Sequence, residues 1–313
     1  MSSLPEIRHN LKRISPYTVE LGEGPHYDEK TGRLYHVDLV KGGCYYLDTK
    51  TLEYESIYFE PGLTLIVPIE GKAGQFVISK NRSLYTLDWA KKSCDLITTV
   101  DHDKDTRVND GKCDPSGRLW FGTMNWERKP GCFAPNLGSL YSLNHNRQVS
   151  LHQDNVTIAN GLAWSSCKTK FYFIDSMARQ VWVYDYDDQS GNISNRKTVI
   201  DYKDCNGLSC REVPDGMTID LHDKLWVTSF NGKKVSRIDP ETGKVLGIIT
   251  TPASKTTSAT WGGPDFRTLY VTSATYGASQ DELQAEPDAG AIFSITFDQE
   301  NIRGGINQAV KFN

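Results

Sequence analysis

Four short segments place a carboxylate or amide side chain directly before a glycine. They are Gly22-Glu23-Gly24, Asn109-Asp110-Gly111, Ala159-Asn160-Gly161 and Pro214-Asp215-Gly216. Carboxylate and amide oxygens, with no cysteine or histidine among them, suit a hard divalent cation such as calcium or magnesium. Taken singly, Asn-Gly and Asp-Gly pairs are more typical of turns, because these residues accept a positive φ at low cost. Metal chemistry therefore requires a fold that brings the four segments together.

A repeated strand motif indicates how the fold does so. An apolar residue, an aromatic residue and a β-branched or apolar residue recur six times, and the aromatic positions lie 41 to 54 residues apart: Tyr35, Phe76, Trp120, Tyr172, Trp226 and Tyr270. This period, with strand-like content and intervening turns, is typical of propeller blades. We therefore predict an all-β fold, a single six-bladed β-propeller over residues 1–313 with four antiparallel strands per blade. A β-sandwich with regular strand spacing is the alternative, and the sixfold count disfavours it.

The ends of the chain decide how the ring closes. About residues 1–16 are expected to be a loosely ordered N-terminal extension. The segment Tyr17–Leu21 is not claimed by the first unit, so we expect it to pair with the last blade, which removes an exposed sheet edge. The tail Gly304–Phe312 is the competing candidate for that role.

In a propeller the first strand of each blade lines the central channel, so equivalent positions of the repeats become neighbours. Glu23, Asp110, Asn160 and Asp215 precede the motif aromatic of their own unit by 10 to 12 positions. Acidic side chains that converge in a narrow channel repel one another and resist joint ionisation, unless a cation compensates them. The pattern predicts one divalent metal ion in the channel.

These motifs, taken together, resemble the family of regucalcin (senescence marker protein), gluconolactonase and luciferin-regenerating enzyme, from about Glu20 to the C-terminus. In that family a glutamate of the first blade, the asparagine of an Asn-Gly-Leu segment and the aspartate of a Pro-Asp-Gly segment hold the metal. The resemblance implies Glu23, Asn160 and Asp215 as ligands. Calcium is the favoured ion, and zinc, magnesium and manganese remain open.

The resemblance also implies a substrate site. Arg107 and Asn109 match the arginine and asparagine of an Arg-x-Asn-Asp-Gly-Lys segment, and Glu127 follows Gly122-Thr123-Met124. A guanidinium and an amide can hold sugar hydroxyls and a carbonyl oxygen in fixed orientation. The plainer alternatives are a surface salt bridge for Arg107 and an ordinary loop position for Glu127.

The expected activity is metal-dependent hydrolysis of a small lactone, with a sugar lactone favoured. Asp215 is the candidate general base, with one carboxylate oxygen on the metal and one toward water. The alternatives are a calcium-binding regulatory protein without a main catalytic role, a luciferin-regenerating-like or phosphotriesterase-like hydrolase, and an interaction platform. Two stretches are expected to shape the entrance, a lid-like loop at Glu127–Asn136 and the extra segment Cys205–Cys210.

Composition limits the partners. The formal net charge is −4, from 35 basic and 39 acidic residues without a long run of either sign, which argues against nucleic acid or an anionic membrane. The first residues lack the apolar stretch of a secretory signal, so a cytoplasmic protein is expected. Seven cysteines fit neither a disulfide framework nor a zinc site, and reduced thiols are expected. The expected partner is a small-molecule lactone, and the expected assembly is a monomer or weak dimer.

Overall fold

The computed structural model describes residues 7–202 and 212–313. In this part of the chain, 24 strands form six four-stranded antiparallel sheets. First strands of neighbouring sheets contact each other at most junctions of the ring, so the sheets are the blades of a propeller. The predicted six-bladed β-propeller is confirmed. The extra segment Cys205–Cys210 lies outside the described residues.

Five blades are built from consecutive strands. Strand β1 spans His9–Arg13 and belongs to the last blade. Blades 1 to 3, each from its first strand outward, are β2–β5 (Gly22–Asp28, Arg33–Asp38, Gly43–Asp48, Tyr54–Tyr58), β6–β9 (Ile66–Pro68, Gln75–Lys80, Ser83–Asp88, Ser93–Thr99) and β10–β13 (Thr106–Cys113, Leu119–Asn125, Gly138–Leu143, Val149–Val156). Blades 4 and 5 are β14–β17 (Ala159–Trp164, Lys170–Asp175, Gln180–Asp187, Asn192–Asp201) and β18–β21 (Val213–Ile219, Leu225–Phe230, Lys234–Asp239, Lys244–Thr250). Blade 6 holds β22–β24 (Thr256–Gly262, Thr268–Ser273, Phe293–Phe297) and then β1.

The aromatic residues of the sequence motif all lie on the second strand of their blade, and all are buried. They pack between blades: Trp226 of blade 5 meets Trp261 of blade 6 with ring centroids 5.4 Å apart, at nearly a right angle. Edge-to-face aromatic pairs of this kind add to the stabilisation from buried area. The repeat therefore marks the layer that fastens each blade to its neighbour.

Ring closure differs from the prediction. The strand that pairs with β24 is His9–Arg13, in the register Leu11 to Ile295, and not Tyr17–Leu21. Leu11 packs on the core of blade 6, while the Tyr17 ring lies against Tyr45 and Tyr54 of blade 1. The closing strand thus lies within the segment expected to be a loose extension.

The C-terminal tail does not close the ring either. It crosses the mouth of the channel opposite the first residues of the inner strands. Gly304 bridges Asp220, and Val310 bridges Ile69. The Asn307 side chain donates to the carbonyls of Tyr27 and Trp261. The tail is therefore a strap that joins several blades, without being a fourth strand of any of them.

The described residues contain a single helix, α1 (Gln280–Ala285), in the connection between β23 and β24. No helix in this part of the chain has the length and apolar character needed to cross a membrane. The five described cysteines are free thiols, as predicted: Cys44, Cys94, Cys113, Cys132 and Cys167.

Candidate metal and substrate site

The acid-glycine and amide-glycine pairs lie inside the first strands of their blades, and they are not turns. Glu23 is on β2, Asp110 on β10, Asn160 on β14 and Asp215 on β18. At each of these positions the pairing with the second strand shifts register. A β-bulge re-aims a side chain from the plane of the sheet. The bulges therefore explain how neighbouring blades direct polar side chains toward the channel.

The glycines are explained by close approach of the inner strands. A Cβ on Gly161 would lie 2.9 Å from the Asp215 carbonyl oxygen, and a Cβ on Gly216 would lie 2.6 Å from the Cα of Ser258. Real side chains do not fit at such distances from backbone. Glycine at positions 24, 161 and 216 therefore lets the chain of the next blade pack closely against the first strand, which narrows the channel.

All six residues predicted for the site line one pocket of about 780 Å³. They are Glu23, Arg107, Asn109, Glu127, Asn160 and Asp215. They come from blades 1, 3, 4 and 5, so the fold gathers residues up to 192 positions apart. The pocket lies at the mouth of the propeller where the inner strands begin, opposite the C-terminal strap. Pockets of this size hold drug-sized ligands.

A chain of hydrogen bonds fixes the polar wall between blades 3 and 4. Arg107 Nη1 donates to Asn109 Oδ1 at 2.6 Å, and Asn109 Nδ2 donates to Asn160 Oδ1 at 3.0 Å. Asn160 Nδ2 in turn donates to Ser176 Oγ at 2.8 Å. This order fixes the amide orientation, because each nitrogen meets an acceptor. The Asn160 oxygen is thereby presented to the pocket with one further lone pair.

The carboxylates of the pocket resist ionisation. Burial is the main cause that raises the pKa of Glu23, and the charges of Asp215 and Asp110 raise it further. Burial and the charge of Asp110 likewise raise the pKa of Asp215. Burial lowers the pKa of Arg107 to about 10, although the charge of Glu127 works against this. Ionised together, these carboxylates would carry a negative charge that the protein alone compensates poorly.

These donors fit a hard divalent cation. Within the described residues no three His, Cys, Asp or Glu side chains are placed to hold an ion by themselves. A cation here therefore needs amide oxygen as well as carboxylate. Asn160 supplies such an oxygen in the same pocket as Glu23 and Asp215. Two carboxylates would balance two positive charges, and all-oxygen ligands suit calcium or magnesium.

The rim of the pocket comes from two loops on opposite blades. The loop after β11 contributes Glu127, Pro130, Gly131 and Phe133. Glu127 Oε1 accepts a hydrogen bond from the Gly131 amide, so it also shapes its own loop. The connection after β23 contributes Tyr276 and Gly277, and Gly277 lies beside Pro130. Residues of the stretch expected to act as a lid thus line the pocket.

Sequence reasoning missed several polar residues of this pocket, among them Ser176, Lys255 and Glu282. Ser176 holds the Asn160 amide, and it could have been found as the residue after the blade 4 aromatic strand. Lys255, immediately before β22, also lines the pocket. No motif marks it, because Thr256-Thr257-Ser258 stands where other blades carry Glu-Gly or Asp-Gly.

Residues 21–275 match the sequence model of a protein family, described as the SMP-30/gluconolactonase/LRE-like region. The chain belongs to this family. It is 40% identical to regucalcin of Danio rerio over 277 residues, which cover 88% of this chain and 90% of that protein. It is 38% identical to regucalcin of Homo sapiens over 292 residues, 91% of this chain and 94% of that protein.

Solved structures extend the likeness. A luciferin-regenerating enzyme superposes with a TM-score of 0.90 at 33% identity, over 97% of this chain and all of that chain. A protein described as the calcium-binding regucalcin of Agrobacterium tumefaciens gives 0.87 at 22% identity, over 97% and 98% of the two chains. A gluconolactonase of Xanthomonas campestris gives 0.73 at 18%, over 94% and 95%. The last two show likeness of fold alone.

Proposed function

We propose that this protein is a divalent-cation-dependent hydrolase that opens a small lactone ring, with a sugar lactone as the favoured substrate. The observation that carries the proposal is the meeting of Glu23 and Asp215 in one pocket beside the amide of Asn160, where burial opposes the ionisation of both carboxyl groups and the charge of Asp215 further raises the pKa of Glu23. Membership of the family and its gluconolactonase members support lactone hydrolysis.

Glu23, Asn160 and Asp215 would hold the cation, calcium in the first place. When bound, it supplies a Lewis acid that polarises an ester carbonyl and stabilises the developing oxyanion. Zinc, magnesium or manganese would supply the same chemistry.

The protein's own groups supply orientation and proton transfer. Asn109 and Arg107 form one rigid hydrogen-bonded unit, which can hold hydroxyl or carbonyl oxygens of the ring in fixed geometry. Asp215 has two carboxylate oxygens, one for the cation and one to accept a proton from the attacking water. Glu127 and the loop after β11 restrict access of bulk water.

A calcium-binding role without catalysis is the second candidate, because the curated relatives carry the name regucalcin. It uses the same three ligands. The two functions differ only in turnover, so a lactone assay separates them.

Asp215→Asn and Glu23→Gln test the proposal. Each substitution removes one negative charge at nearly constant size, and we expect lactone turnover with saturating cation to fall by about 100-fold or more. The measurement is hydrolysis of a panel of sugar and aromatic lactones with calcium, magnesium, manganese or zinc. Glu300→Gln, an exposed carboxylate in the turn after β24, is the control and should keep wild-type turnover.

The fold of each variant is checked by circular dichroism. Wild-type turnover in either variant would show that the substituted residue has no essential part. Tight binding of calcium by the wild type, with no turnover of any lactone, would favour the calcium-binding candidate instead.

A further inference from the structure

Lys255 is a buried cation in the wall of the candidate site. The residue is only 5% exposed, and it lines the same pocket as Glu23 and Asp215. The carboxylate nearest its Nζ is Glu282, at 4.0 Å. That distance is too long for a hydrogen bond. Within the described part of the chain, no acceptor lies within hydrogen-bonding distance of this ammonium.

Other lysines of low exposure in this structure are closely paired. Lys234 reaches Glu212 at 2.8 Å, and Lys224 reaches Asp239 at 2.6 Å. Lys112 donates to the carbonyl of Met217 at 2.6 Å. A buried ammonium without an acceptor is costly, so folded proteins almost always provide one. Lys255 therefore departs from the pattern that these three lysines follow.

Glu282 is a weak partner for a structural reason. It is the third residue of α1, and its Oε2 accepts the Ser279 amide at 2.7 Å in a capping box. Its side chain is 55% exposed, so solvent screens its attraction to Lys255. The Glu282 carboxylate is thus largely committed to the helix, and Lys255 lines the pocket beside it without a hydrogen bond between them.

The position of Lys255 within the ring indicates which side of a bound ligand it would contact. It precedes β22, which contacts β18 on one side and β2 on the other, the strands of Asp215 and Glu23. Blade 6 also stands opposite blade 3, which carries Arg107 and Asn109. A ligand centred between Glu23 and Asp215 therefore faces Arg107 on one side and Lys255 on the other.

One positive group of the pocket has no hydrogen-bonded counterion. Glu23 and Asp215 would balance a divalent cation, and the charge of Glu127 acts on Arg107. The exposed Glu282 carboxylate, 4.0 Å away, compensates the charge of Lys255 only in part, and a neutral hydroxyl would not complete the compensation. We propose that Lys255 binds an anionic substituent of the substrate, away from the ester, so that the substrate class is a lactone that carries a carboxylate. This inference rests on the proposed lactonase function.

The test compares two lactones that differ in one group. D-Glucono-1,4-lactone ends in a hydroxymethyl group, and D-glucaro-1,4-lactone ends in a carboxylate on the same ring. We expect the wild-type protein to favour the carboxylate-bearing lactone in kcat/KM. Lys255→Met should lower kcat/KM for that lactone by about 10-fold or more, chiefly through KM, and change the neutral one less than about 3-fold.

Two further variants sharpen the test. Lys233→Met removes the same charge from the neighbouring segment, but Lys233 is paired with Glu286 at 3.0 Å and lies outside the pocket. It should leave both lactones unaffected. Lys255→Arg keeps the charge, and it should restore most of the preference for the carboxylate. Added salt should weaken that preference in the wild type.

An equal loss with both lactones, or no loss with either, would overturn the proposal. If the wild-type protein opens neither sugar lactone, the pair is replaced by γ-butyrolactone and its 4-carboxy derivative. If no lactone is opened at all, the lactonase function fails on its own. Calorimetric titration with D-glucarate and D-gluconate then still decides the role of Lys255. The wild type and Lys233→Met should bind glucarate more tightly than gluconate, and Lys255→Met should lose this preference.

Discussion

Glu23 and Asp215 are held where a negative charge is unfavourable without a counterion. Burial and neighbouring carboxylates raise both pKa values. A carboxyl group whose pKa is raised by folding stabilises the protein fully below its ordinary pKa, and this contribution is lost as pH rises through the raised value. At neutral pH these residues therefore reduce the stability of the metal-free protein. The proposed cation would reverse this effect, because it would bind only the folded state.

The effect of Glu23→Gln on the melting temperature should therefore have opposite signs in chelator and in saturating calcium. In the presence of chelator at pH 7 we expect the variant to melt above the wild type by a few degrees, since ~1 kcal/mol shifts the Tm by about 2 °C in a chain of this size. With saturating calcium the wild type should melt higher. Differential scanning calorimetry in both conditions checks this, and a variant less stable than wild type in chelator would contradict the electrostatic account.

At the scale of strands, the repeated aromatic motif was sufficient to predict the blades, because each motif places a large side chain on a second strand that must be buried. The register of the acid-glycine pairs was sufficient to predict that Glu23, Asn160 and Asp215 share one mouth. The bulges that aim them were not predictable, since a register shift depends on contacts between strands. Lys255 was missed because the first strand of blade 6 lacks an acidic or amide residue followed by glycine.

The closing strand shows why ring closure was harder to predict. In β1 only Leu11 is even half-buried, and its neighbours are exposed, so the segment has little of the alternation that identifies a strand. The Tyr17 segment has a more apolar sequence, but its ring is used for packing on blade 1. The edge of β24 is therefore covered by backbone hydrogen bonds more than by side chains.

Lys12→Pro tests that closure. The Ile14 amide donates to the Ile292 carbonyl, and the alternation of antiparallel pairing directs the Lys12 amide to β24 as well. Proline removes that donor, and we expect a loss of about 1 to 3 kcal/mol of unfolding free energy. Lys12→Ala keeps the amide and removes an exposed side chain, so it should be nearly neutral in urea titrations. Equal effects of the two substitutions would contradict the hydrogen-bonded closure.

At the scale of the whole molecule, the ring is held together twice. β1 closes it along the outer edge of blade 6, and the C-terminal strap joins blades across the mouth opposite the candidate site. Lys311 of the strap donates its amide to the Gly117 carbonyl of blade 3, and Val310 pairs with Ile69 of blade 2. The candidate site lies at the other mouth, so the strap can stabilise the ring without blocking the pocket.

Gly304 and Gly305 allow the strap to be tested by a pair of minimal substitutions. A Cβ on Gly304 would lie 1.9 Å from Cγ of the buried Trp261, whereas a Cβ on Gly305 would meet nothing closer than 3.5 Å. Gly304→Ala must displace the strap or the Trp261 ring, and we expect it to lower the free energy of unfolding by about 2 kcal/mol or more. Gly305→Ala should cost little. Since the strap lies at the mouth opposite Glu23 and Asp215, kcat/KM of folded Gly304→Ala at 25 °C should match the wild type. A loss of activity without a loss of stability would mean that the strap acts on the site and not on the ring.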